Sequence, residues 1–110
     1  MLPRIALLIL IASAIAVDAG GPPSKLVGKW EKYGIDTYEI LSFQADHAFI
    51  SEVTGKGHVI HKGTWKLEGR RLIFSWPDAP DTVGTIVKLT SETLILRWPA
   101  VGDQIYDRTK

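Results

Sequence analysis

The chain has 110 residues, with 13 Lys and Arg against 12 Asp and Glu and a formal net charge of +1. That near-neutral balance, with no basic run, speaks against nucleic acid or an anionic membrane surface as the main partner. There is no cysteine, so neither a disulfide staple nor a thiol for lipid attachment is available, and stability must come from packing.

Met1 to Arg4 carries one positive side chain, and Ile5 to Val17 then holds nothing more polar than Ser13. This matches the charged and apolar regions of a secretory signal peptide. Val17-Asp18-Ala19 suits a cleavage site, with Ala14-Ile15-Ala16 as a second one, and cleavage is predicted after Ala19. The apolar run falls short of the roughly 20 residues a membrane span needs, so no span is expected once the leader is removed. The expected organisation is a leader over 1–19, a Gly/Pro linker over 20–25 and a single domain over 26–110. Four Trp, three Tyr and three Phe all follow the leader, where the core of a small domain needs its large side chains.

From Leu26 onward apolar residues recur with period two in runs bounded by Gly, Asp, Pro or Ser, the pattern of half-buried strands. Eight strands are predicted, at Leu26–Tyr33, Thr37–Gln44, Ala48–Thr54, His58–Leu67, Arg71–Trp76, Thr82–Thr90, Thr93–Trp98 and Gln104–Arg108. The connections are too short for parallel crossovers, so neighbours pair antiparallel in an up-and-down meander. Alternation assigns Trp30, Leu41, Phe43, Trp65, Leu67, Leu72, Phe74, Trp76, Val87, Leu89, Leu94, Leu96 and Trp98 to the inner face. Gly63-Thr64 through Trp76-Pro77 is echoed by Gly84-Thr85 through Trp98-Pro99, so two successive hairpins share one pattern. Closure into a barrel removes both sheet edges, and the expected fold is all-β, an eight-stranded antiparallel meander closed into a small barrel. An interior of that size either fills with side chains or holds one small ligand.

Gly28-Lys29-Trp30 on the first strand resembles the Gly-x-Trp signature of lipocalins. Leu41-x-Phe43 with Asp46, Gly63-Thr64-Trp65-Lys66-Leu67-Glu68-Gly69, Leu72-x-Phe74 and the terminal Tyr106-x-Arg108 extend the likeness to the compact bacterial lipocalin-like domain over residues 26 to 108. The resemblance implies an exported eight-stranded barrel, with Trp30 closing its base and Arg108 packing across it. The chain departs from the pattern in being shorter than a full lipocalin, and in carrying His47 where the related turn usually has Gly.

Trp30, Phe43, Trp65, Phe74, Trp76 and Trp98 are candidate walls of a ligand site in the barrel interior, since small-molecule sites use aromatic walls with a few polar groups. Asp78, Asp81 and Asp103 stand in two Pro-stiffened loops, 76–81 and 98–103, expected at the same end of the barrel. They are the candidates for a partner-binding rim, because a stiff loop loses little entropy on docking. His58 and His61, three apart on a strand, point to opposite faces and make no chelating pair, so no metal site is expected. Ser42, Ser51, Ser75 and Ser91 lack a nucleophile elbow, and the strand pattern by itself places no carboxylate pair facing one cleft. Neither a catalytic residue nor a cofactor is therefore expected. The chain is read as an exported, non-catalytic binding protein, periplasmic or extracellular, taking a small apolar molecule. The alternative is a solid barrel that binds or inhibits an extracytoplasmic protein through its loops.

Overall fold

The computed structural model describes residues 22–109. The predicted leader and its cleavage site lie outside the described residues. Where a linker and the start of a strand were expected, Pro22–Leu26 instead forms a short helix α1. Pro is at home in the first turn of a helix, where its missing N–H has no intrahelical partner to lose. Leu26 is fully buried. No helix among the described residues is long and apolar enough to cross a membrane.

Eight strands follow: β1 Gly28–Gly34, β2 Thr37–Phe43, β3 Ala48–Thr54, β4 His58–Glu68, β5 Arg71–Trp76, β6 Ala79–Leu89, β7 Thr93–Trp98 and β8 Gly102–Arg108. Each pairs antiparallel with the next, and β8 returns to β1 to close the barrel. The bounds of β3, β5 and β7 are those expected from sequence. The largest difference is β6, which begins at Ala79, so the loop expected over 76–81 shrinks to a Pro77-Asp78 turn. Likewise β8 begins at Gly102, whose φ of 79° is the left-handed conformation that glycine adopts without strain.

The inner face carries Trp30, Leu41, Phe43, Phe49, Trp65, Leu72, Phe74, Ile86, Leu94, Leu96 and Tyr106, all buried together with Leu26 of α1. One expected core position is corrected. Strict alternation turns Val87 inward, but β6 contains a bulge: Ile86 pairs with Leu96 and Lys88 with Ile95. Val87 is the extra residue, and a bulge lets the inward set resume out of phase. Ile86 and Leu89 therefore both reach the core, Ile86 buried and Leu89 partly so. Ile73 is also buried, although it lies on the outer face between Lys66 and Val83.

Candidate binding site

The two ends of the barrel are built differently. At the base, Trp30 is completely buried and its indole Nε1 donates to the Leu26 carbonyl at 3.0 Å. The Arg108 guanidinium carbon lies 4.1 Å from the Trp30 ring centroid. Its N–H groups donate to the carbonyls of Lys25 at 2.6 Å, Val27 at 2.8 Å and Ser91 at 3.0 Å. Gly28 makes room for this arrangement, since a Cβ there would strike Arg108 Nη1, and its φ of 133° is strained for any other residue.

Above Trp30 the interior is filled. Phe43 packs against Phe49, Trp65 and Phe74 with ring centroids 4.9, 5.7 and 6.0 Å away. Phe49 and Phe74 are 4.5 Å apart, and Phe74 reaches Trp98 at 5.6 Å. Such tilted and edge-on pairs are the favoured aromatic geometry. Trp65 is held by the turn between β2 and β3: its Nε1 donates to Gln44 O at 3.1 Å, and its carbonyl accepts from His47 Nδ1 at 2.9 Å. His47 stacks on the Trp65 ring at 4.8 Å. His47 has φ 72°, a left-handed backbone conformation that glycine adopts without strain.

At the opposite end a cleft of about 830 Å³ opens through the barrel wall, between β4 and the β5–β6 hairpin. Ile60, His61 and Lys62 form one side, Trp76 through Thr82 the other, and Ser51 lies behind. Trp76 is half-buried, its ring 5.7 Å from Phe49 and 6.2 Å from His61, and its Nε1 donates to Thr82 Oγ1 at 3.0 Å. One face of the indole thus joins the filled interior to the open cleft. Gly63 permits this, because a Cβ there would collide with the Ser75 carbonyl oxygen and come within 2.8 Å of the Trp76 ring.

Of the six aromatic candidates, the structure brings only Trp76 to the cleft. Trp30, Phe43, Trp65 and Phe74 are buried against one another, and Trp98 is partly buried beside Gly84. Of the three loop aspartates, Asp78 and Asp81 are exposed on the cleft. Asp103 lies elsewhere, bonded to Arg97 Nε at 2.7 Å, and that hydrogen bond holds its carboxyl below the usual range. The histidines go to three different places: His47 to Trp65, His61 to the cleft, and His58 to the Glu52 carboxylate at 2.6 Å.

Ser51, Ile60, His61, Lys62 and Thr82 were missed as site residues. The signal that could have found them is the length mismatch between the β3–β4 and β5–β6 hairpins, which leaves β4 without a neighbour on its β5 side there. A polar group was missed as well. Glu39 faces inward opposite Val53. Burial raises its pKa, partly offset by Lys32 and by hydrogen bonding with Tyr106. Burial and the neighbouring Glu39 charge in turn raise the Tyr106 phenol.

Comparison with protein-family models, with curated proteins and with solved structures returned no match for this chain.

Proposed function

We propose that this is an exported, non-catalytic binding protein of lipocalin-like type, seating a small ligand by its apolar face against Trp76 in the lateral cleft. The observation that carries the reading is the contrast between a sealed, aromatic-filled base and an open cleft of about 830 Å³ at the other end. That volume lies within the range of roughly 300–1,000 Å³ typical of small-molecule sites. Its lining matches the usual recipe, one aromatic wall with a few polar groups: Ser51, His61, Thr82 and the Asp78 and Asp81 carboxylates. The ligand seat expected in the barrel interior is thereby narrowed to its Trp76 margin. The periplasmic or extracellular location, the bacterial source and the absence of catalysis rest on the sequence reading of the leader and of the missing nucleophile constellation.

The test is titration with an anilinonaphthalene sulfonate probe, followed by probe fluorescence and Trp quenching. Micromolar saturation in the wild type, about tenfold weaker in Trp76→Ala and unchanged in Asp103→Ala, supports the reading. Saturation no tighter than millimolar overturns it. A second reading, recognition of an extracytoplasmic protein through the rim, is favoured by one observation. Among the described residues Asp78 and Asp81 have no ion-pair partner, whereas Asp103 does.

A further inference from the structure

The cleft arises because two neighbouring hairpins end at different heights. The β3–β4 ladder continues to Thr54↔His58, while the β4–β5 ladder stops at Thr64↔Ser75 and β5 itself ends at Trp76. Pro77 turns the chain there, and neither Pro77 nor Pro80 has an N–H with which the hairpin tip could bond across to β4. β4 from His58 to Lys62 therefore has β3 on one side and an open edge on the other.

Strand alternation determines which backbone groups face that edge. Trp65 N–H donates to His47 O at 2.9 Å, toward the β3 side. Residues an even number away, Gly63, His61 and Val59, turn the same way, so His58, Ile60 and Lys62 direct their N–H and C=O groups across the open edge. Ile60 and Lys62 line the cleft, and Ile60 is 48% exposed. A row of unpaired backbone groups beside a side-chain pocket is the recognition surface of strand addition, in which the main chain supplies affinity and alternate side chains supply selectivity.

Taking the cleft as the binding seat, as argued above, we propose that its ligand is an extended peptide segment, added as a strand to the His58–Lys62 edge of β4. The residue hydrogen-bonded opposite Ile60 shares its outward direction, and the two flanking residues point inward. The inward positions face His61, Gly63 and the Trp76 ring, a surface for apolar side chains. The cleft is lined by two carboxylates, Asp78 and Asp81, which have no ion-pair partner among the described residues, and by one ammonium group, Lys62, so charge complementarity calls for a basic side chain at the outward position. The partner is thus a peptide with an apolar-basic-apolar alternation.

The probe is the capped peptide acetyl-TVRVT-amide, titrated into the purified protein and followed by Trp fluorescence and by exchange of the Ile60 and Lys62 amides. N-methylation of the threonine and arginine nitrogens removes the donors that face β4, and is expected to weaken binding about tenfold or more. N-methylation of the valine nitrogens is expected to change it less than about threefold. The glutamate analogue acetyl-TVEVT-amide is expected to bind several-fold more weakly, a difference that vanishes in Asp78→Asn/Asp81→Asn. The methylation arms use unchanged protein, so misfolding cannot mimic their result. If the naphthalene probe binds through Trp76 but the peptide does not, or if both methylation patterns have equal effect, the peptide inference is overturned and the cleft reading stands. If neither probe nor peptide binds, both are overturned.

Discussion

Arg108 lies flat over Trp30, its guanidinium carbon 4.1 Å from the ring centroid, while its N–H groups satisfy three backbone carbonyls from two other segments of the chain. A lysine could keep the charge but not the planar fork that serves those carbonyls together. Arg108→Ala is expected to destabilise the protein by about 3 kcal/mol, combining the charged hydrogen bonds with the cation–π contact. Arg108→Lys should recover less than half of that. Urea unfolding followed by Trp fluorescence checks both, and a lysine variant as stable as the wild type would mean that the guanidinium fork is not what holds the base.

Gly63 and Gly84 occupy equivalent places in the two echoing hairpins, against Trp76 and Trp98. Their tolerance differs because what a methyl group meets differs. At Gly63 it strikes the Ser75 backbone, whereas at Gly84 the nearest atom is the Trp98 ring at 3.1 Å, which can tilt. Gly63→Ala is expected to cost about 3 kcal/mol and Gly84→Ala about 1 kcal/mol, the overpacking range. Thermal melts of the two variants read the order directly.

Two tryptophans separate stability from binding. Trp30→Ala empties a fully buried site and should cost about 4 kcal/mol. Trp76→Ala, at the cleft margin, should cost only about 1–2 kcal/mol while removing most probe binding. Finding the losses reversed would mean that the ligand enters the deep interior.

Glu39 provides a pH test. Burial raises its folded-state pKa above the ordinary 4.5, so the folded state binds the proton more tightly than the unfolded chain. The resulting stabilisation is complete below the unfolded pKa and is lost as pH rises through the folded pKa. Glu39→Gln lacks this dependence. The melting temperature of the wild type minus that of Glu39→Gln should therefore fall from pH 4 to pH 7. A difference that rises with pH would mean that the Lys32 attraction outweighs burial.

The strands were legible because their period is two and their boundaries are marked by Gly, Asp and Pro. For Ala48–Thr54, Arg71–Trp76 and Thr93–Trp98 nothing tertiary intervened, and the bounds agree. The bulge at Val87 was not legible, since Ile86, Val87 and Leu89 are all apolar and the pattern accepts either phase; the pairing with β7 selects Ile86. Phe49 was missed as an inward residue although it sits at the centre of the aromatic cluster. Trp76, Asp78 and Asp81 were legible as candidates from residue type and loop position. The cleft around them was not, because it depends on how far one hairpin overhangs the next, and that is set by pairing register.

The Arg108 hydrogen bonds to Val27 and Lys25 join residues 81 and 83 positions apart. The base can be sealed only after β8 has arrived, so a chain lacking its last strand carries Trp30 uncovered and two strands with open edges. Such distant contacts are formed slowly, since the loop-closure entropy must be met before they reward it. Residues 102–108 are therefore the latch of the assembly sequence, and a nascent chain ending before them is kept in an open, aggregation-exposed form.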